Sequence, residues 1–493
     1  MKPVIALATL FTLASATDWN ARREFHARFA KRQATTTTSS ATSSISLSAS
    51  TAVSSVSSGV SSASLPATSG VSGVSGISAS GTTTAVASVA TTLAGTSIPP
   101  ISEITSGAVS ESTIPLSSTA AVGQVPSISG APPLLSYTII PSDWPAMDRM
   151  PPTDSPEVQE WMQELQGFDI PDLNTTDGTC AGSPQAAADA ANRGWWTCGG
   201  YTRSTDIVAC PDKLTWGMSF DDGPGFYTTK LLDFLNERDL KSTFFVVGSR
   251  VIQNPEILRA EYLAGHEISL HTWSHPDLTT LTNEQIVAEF GWTRKAIQTV
   301  LGVTPVTMRP PYGDIDDRVR AIALAMGMVP IIWTRGKNNE QFDTNDWRVA
   351  GGAVTGPQSL EAFEEILGNS TEIDTGFIVL QHDLYQQSVD LAVGYTLDRA
   401  LNFTPSLTLE PIGVCQGWPA TDLYLETTTN TTFPYPQSVI STNVTTTASA
   451  RATAVTAGNA AQGSGARPNL ASLPTLGAML AGLSVLVGGL LMV

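Results

Sequence analysis

Between about Cys180 and Trp418 the chain alternates between two hydrophobic periods, and no other feature narrows its possible folds as far. Short apolar runs, many of them β-branched or aromatic, occur at 214–220, 242–248, 266–270, 305–308, 329–333, 376–380 and 407–411. Helical patterns separate most of them. The first, 228–238, carries Leu231, Leu232 and Leu235 on one face. The others are 283–301 behind an Asn N-cap candidate, 316–327 ending on a cap-like glycine, 357–367 and 386–401. Strand and helix in alternation predict an α/β fold with parallel strands. Over about 240 residues a barrel is as consistent as an open sheet, and a barrel would gather its chemistry at the C-terminal strand ends.

The flanks read differently. Lys2, an apolar run from Val4 to Leu13 and Ala14-Ser15-Ala16 predict a secretory signal peptide over 1–16. Lys31-Arg32 marks 17–32 as a candidate pro-segment. Residues 33–136 contain no Phe, Trp, Tyr, Cys, Lys or Arg. Such a tract buries too little apolar area to offset its ordering entropy, so 33–132 is expected to be a disordered, Ser/Thr-rich, O-glycosylated stalk. A Pro-rich extension follows at 133–175. It holds one short helix, 156–166, whose Trp161, Met162 and Leu165 could dock on the domain at 176–420. A Thr/Ser-rich linker, 421–465, leads to an apolar tail at 466–493. Small residues, a polar spacer and that tail fit a GPI-attachment signal; the competing reading is a tail-anchored membrane helix. The expected location is therefore the secretory pathway, with GPI anchoring at the plasma membrane and cell wall.

Sequons at Asn174, Asn369, Asn402, Asn430 and Asn443 are candidate N-glycan acceptors. Cys180, Cys198, Cys210 and Cys415 predict two disulfides, with three pairings open; a bond from Cys415 would tie the ends of the domain together. The net charge of −18 argues against a nucleic-acid partner.

The chemistry-bearing residues stand at strand ends. His271 and His275 are four apart, a spacing that lets two imidazoles on a helical turn share a metal. Asp221 and Asp222 follow the first strand, where two adjacent carboxylates repel; a cation on one would leave the other as a base. Arg309-Pro-Pro-Tyr312-Gly313 fixes its backbone with two prolines, which suits presenting a backbone N–H. Asp346 could hold Arg309, with Trp347 as an aromatic wall, and His382 beside Asp383 offers an acid.

In this order, SFDDGP at 219–224, HTWSH at 271–275, RPPYG at 309–313, DTNDW at 343–347 and LQHD at 380–383 resemble the polysaccharide deacetylase family, carbohydrate esterase family 4. The likeness is closest to its secreted fungal chitin deacetylases. It implies a distorted (β/α) barrel of about seven parallel strands with a NodB-like catalytic domain. It implies a zinc or cobalt ion on Asp222, His271 and His275, with Asp221 as general base and His382 as general acid. Arg309 would tune Asp221 and be held by Asp346; Tyr312 N–H would face the oxyanion; Trp347 and Leu380 would shape the acetyl pocket. The expected substrate is cell-wall chitin, and the expected state a monomer. Deacetylation of xylan or peptidoglycan, or a catalytically inactive glycan-binding wall protein, are the alternatives.

Overall fold

A computed structural model describes residues 97–107, 114–128 and 130–428. The signal peptide, the pro-segment, the stalk up to residue 96, Asn430, Asn443, most of the linker and the apolar tail lie outside the described residues.

All seven expected strands form, the first of them as two. These are β1 Thr215–Gly217, β2 Ser219–Asp221, β3 Thr243–Val246, β4 Glu267–Leu270, β5 Thr307–Met308, β6 Val329–Pro330, β7 Phe377–Ile378 and β8 Thr408–Glu410. Met218 divides β1 from β2 because it changes partners. Its N–H donates to Glu410 at 2.8 Å, whereas its carbonyl accepts from Thr243 at 2.9 Å. Below Met218 the strand therefore runs beside β8, and above it beside β3. The sheets read β7-β1-β8 and β2-β3-β4-β5-β6, every pair parallel. The ring closes through backbone just beyond β6, where Thr334 N–H donates to the Ile378 carbonyl at 3.0 Å. The result is a parallel, distorted barrel. Its strands β1 to β7 are buried throughout, as parallel strands under helices must be.

The helices Thr228–Glu237, Asn283–Leu301, Asp317–Ala325 and Gly356–Ser370 match the expected patterns to within a few residues. The long one is capped by Thr282, not Asn283: Thr282 Oγ1 accepts from Gln285 N and Gln285 reaches back, a reciprocal capping box. The pattern expected at 386–401 is one rod in three parts, with a wide π turn at Ala392–Thr396. Two helices between β3 and β4, Gly248–Gln253 and Pro255–Leu263, were not read from the sequence, because Pro255 breaks their shared period.

The expected stalk ends earlier than 132. Ile104 is 2 % exposed and packs with Val349 and Leu391, and Ile128 is 7 % exposed in the main core. The same stretch docks by its backbone: Gly356 N–H donates to the Ile104 carbonyl at 2.9 Å, and Tyr395 Oη to the Pro99 carbonyl at 2.7 Å. Isolated isoleucines in a Ser/Thr-rich tract leave little trace in composition, yet Ile104 and Ile128 are buried among apolar side chains of the domain. The short extension helix forms as Pro156–Trp161 plus one 3₁₀ turn, and Trp161 meets Trp292 edge to face at 5.6 Å, as its apolar face predicts. Disulfides join Cys180 to Cys198 and Cys210 to Cys415; the second ties the entrance of β1 to the chain just after β8.

Candidate active site

The C-terminal ends of β2, β4, β5 and β7 converge on one small pocket. Asp221, His271, His275, Tyr312, Trp347, Leu380 and His382 all line it, together with Pro310 and Trp333. Trp333 was expected only as a strand residue. Its indole N–H donates to Gln341 at 3.0 Å, which sets the ring as a wall.

Asp222, His271 and His275 present donor atoms within 4.8 Å of one another. The Asp222 Oδ1 lies 3.4 Å from His271 Nε2 and 3.1 Å from His275 Nε2. The two Nε2 atoms are themselves 3.1 Å apart. His271 Nδ1 faces the Arg309 carbonyl at 2.8 Å, so that nitrogen carries the proton and Nε2 is left as a lone pair. Two imidazole nitrogens and one carboxylate oxygen at these separations suit a divalent cation. Burial pushes His275 down to about 4, against the pull of Asp222, so it stays neutral and able to ligate.

The pair of histidines does not ride a helical turn, as their spacing suggested. Residues 271–277 form a loop in which Thr272 (φ 64°) and His275 (φ 60°) are both left-handed. Glu289, from the Asn283–Leu301 helix, pins that loop by accepting from Trp273 N at 2.7 Å, Ser274 N at 2.8 Å and Ser274 Oγ at 2.5 Å. No sequence pattern marked Glu289, because its partner is a loop known only once folded.

Asp221 is set apart from its neighbour. Arg309, fully buried, donates from Nη1 to Asp221 Oδ1 at 2.6 Å, and its guanidinium lies 4.0 Å from the Phe245 ring centre. The adjacent carboxylates thus take different partners: a cationic side chain for Asp221, the imidazole pair for Asp222.

Across the pocket Asp346 does not hold Arg309, contrary to expectation. It holds His382 instead, Oδ1 to the ring Nδ1 at 2.8 Å and Oδ2 to the backbone N–H at 2.8 Å. Nor is Asp383 the carboxylate behind His382; its Oδ2 accepts from Thr228 Oγ1 at the start of the helix that follows β2. Burial alone would lower the His382 pKa, but Asp346, then Asp222 and Asp221, reverse this and raise it to about 9. Tyr312 sits at the tip of the Pro311–Gly313 turn with φ 59°, its ring 4.6 Å from that of His275. Trp347 and Leu380 are each 4 % exposed at the pocket floor. Of the described sequons, Asn174 and Asn402 are exposed and Asn369 is half-buried.

Residues 209–331 match the family model described as polysaccharide deacetylase. The chain is 54 % identical over 343 residues to chitin deacetylase 1 of Cryptococcus neoformans var. grubii, covering 69 % of this chain and 72 % of that protein. It is 36 % identical over 232 residues to a chitin deacetylase of Amylomyces rouxii, covering 42 % of this chain and 53 % of that protein. Among solved structures, the chitin deacetylase of Colletotrichum lindemuthianum aligns with 45 % of this chain and 96 % of its own, at 27 % identity and a TM-score of 0.40.

Proposed function

Because the chain belongs to the polysaccharide deacetylase family and is an amide hydrolase, we propose that it removes acetyl groups from the N-acetylglucosamine units of cell-wall chitin, leaving chitosan and acetate. The observation that carries this reading is the division of labour between the two pocket walls. On one wall Asp222, His271 and His275 form a cation site beside the Arg309-paired Asp221; on the other, Asp346 holds His382.

Asp222, His271 and His275 would hold zinc or cobalt, which when bound supplies a Lewis acid for the acetyl carbonyl and makes a nearby water more acidic. Asp221 takes the proton from the attacking water as general base. Arg309 keeps that carboxylate anchored and oriented during the transfer. The Tyr312 N–H, at the tip of its turn, faces the oxygen on which negative charge develops. His382 then gives a proton to the sugar nitrogen, so that the C–N bond breaks to a neutral amine. A leaving amine needs that proton, and an imidazolium held up to about 9 supplies it across the neutral range. Trp347, Leu380 and Trp333 close the small end of the pocket around a methyl group and keep bulk water out.

Two disulfides support a working place outside the reducing cytosol, in keeping with a GPI-anchored enzyme at the cell surface. An inactive glycan-binding barrel gains no support from a pocket that retains base, acid and ligand set together.

The test is acetate release by the secreted protein from chitin oligomers, acetylated xylan and peptidoglycan fragments, run in parallel. Release from chitin oligomers that is abolished by chelation and restored by zinc or cobalt is the expected result. A folded, metal-loaded protein that releases acetate only from xylan or peptidoglycan would overturn the chitin assignment.

A further inference from the structure

The region matched by the family model starts at residue 209, yet the loops bearing the metal ligands are gripped by residues well upstream of it. Those loops need a grip. Asp222, Thr272 and His275 all have positive φ, at 78°, 64° and 60°. Non-glycine residues held there are strained, and persist only where the surroundings over-determine them.

Two contacts to the histidine loop come from the short stretch 144–148. Trp144 stacks on Trp273, which lies between the two ligand histidines, with ring centres 6.1 Å apart and planes 5° from parallel. The indole N–H of Trp273 donates to the Ala146 carbonyl at 3.1 Å. Trp144 is wedged in turn against Trp292 at 5.9 Å. Further along, Asp148 Oδ1 accepts from Ser249 Oγ at 3.1 Å and lies 3.8 Å from Arg250 Nη2. Arg250 donates from Nη1 to the backbone carbonyl of Asp222 at 2.7 Å. Both side chains of this pair are buried, Arg250 at 2 % and Asp148 at 7 % exposure. The two residues before Arg250 are joined to the histidine loop as well: Gly248 N–H donates to the Thr272 carbonyl at 2.9 Å and Ser249 N–H to that of Trp273 at 3.2 Å.

We propose that Asp148 is a positioning residue for the metal site: it holds Arg250 on the Asp222 carbonyl, while Trp144 holds Trp273, so that the 144–148 segment presets the three ligands before an ion arrives. This rests on the reading that Asp222, His271 and His275 bind a divalent cation. A buried guanidinium that loses its carboxylate neighbour turns or draws in water, and the Asp222 backbone it steadies is then free to relax out of its left-handed conformation. The ligand set would survive in composition but lose its geometry. Outer groups of this kind change metal affinity by roughly 10- to 100-fold.

The experiment uses the full secreted chain, stripped of metal and titrated with zinc against a chromophoric chelator. Asp148→Ala is expected to weaken zinc binding about 10- to 100-fold, and Asp148→Asn, which keeps the acceptor for Ser249, by less. Trp144→Phe, which keeps a stacking ring, is expected to stay within about threefold of the parent. Thermal unfolding of the metal-free proteins is followed alongside. If Asp148→Ala, or Asp148→Asn where the alanine variant does not fold, binds zinc within twofold of the parent, the positioning role is overturned, whatever the unfolding temperature does. If the parent itself binds neither zinc nor cobalt, it is the metal reading of the site that fails.

Discussion

Asp346 grips His382 at two points, taking the ring Nδ1 with one oxygen and the backbone N–H with the other, each at 2.8 Å. The imidazole is therefore fixed both in tautomer and in direction, with Nε2 turned to the pocket. Its cation is favoured by the same contact, which is why burial fails to neutralise it. The general acid we propose is thus a pair of residues 36 positions apart in the chain.

Removing that charge should move the pH profile. In the proposed reaction His382 acts as a cation, so activity that depends on it is expected below its raised pKa and is lost as pH rises through about 9. In Asp346→Asn the buried imidazole loses its main anionic partner, and burial then pulls the pKa down. The alkaline limb of kcat is expected to shift to lower pH, and kcat at pH 8 to fall by about 10- to 100-fold. A variant with reduced kcat but an unmoved alkaline limb would assign Asp346 to shape alone.

The adjacent carboxylates should separate cleanly. Asp221→Asn leaves Asp222, His271 and His275 intact, so the protein is expected to bind its ion while acetate release drops about 100- to 10,000-fold. Asp222→Asn puts a neutral amide in place of the carboxylate whose Oδ1 lies 3.1 Å from His275 Nε2 and 3.4 Å from His271 Nε2. Its expected defect is loss of bound metal, with activity partly recovered at high zinc. Metal content and turnover measured on the same samples check both; equal metal loss in the two variants would deny the split.

How far the sequence carries depends on where each partner sits. The seven strands were legible because each is a local apolar run, and four of the five motifs because each ends or directly follows such a run; DTNDW stands ten residues beyond the run at 329–333. His271 and His275 were paired correctly for the wrong local reason. Their convergence comes from a loop with two left-handed residues, and φ values of that kind are imposed by tertiary neighbours such as Glu289 and Trp273. The partner of His382 was misassigned to Asp383, its neighbour in sequence, because adjacent side chains on extended backbone point to opposite sides. Asp346 reaches it only once the backbone beyond β6 folds against that beyond β7, at the Asp343–Leu380 bridge. Ile104 and Ile128 were lost in a Ser/Thr-rich average that says nothing about single anchoring residues.

The two disulfides should differ in weight. Cys210–Cys415 closes a stretch of 205 residues, Cys180–Cys198 one of 18. In the chain-entropy account, the difference in loop length alone favours the longer bond by about 2 kcal/mol. Cys210 also sits where Gly376 N–H donates to its carbonyl at 2.9 Å, beside the β7–β1 seam. The Cys210→Ser/Cys415→Ser variant is expected to lose roughly 2–5 kcal/mol and to unfold at a lower temperature than Cys180→Ser/Cys198→Ser. Calorimetry of the two double variants decides it; the opposite order would place the critical closure at the N-terminal edge of the domain.

A last expectation concerns Glu267, which is 2 % exposed and far from the chemistry, at the base of β4. Its Oε2 accepts from Thr243 Oγ1 at 2.9 Å and from Gly413 N–H at 2.8 Å. Burial outweighs both bonds and raises its pKa to about 7. A carboxyl group raised in this way holds its proton in the folded state over a range where the unfolded chain has released it. Its contribution to stability is complete below about 4.5, declines as pH rises, and is exhausted above about 7. Glutamine keeps the acceptor oxygen and cannot ionise. Glu267→Gln should therefore gain on the parent as pH rises from 5 to 8, by a few kcal/mol at most, whatever their difference at pH 5. Urea unfolding at the two pH values measures that gain, and a difference between the proteins that is the same at both would show that the titration belongs to another group.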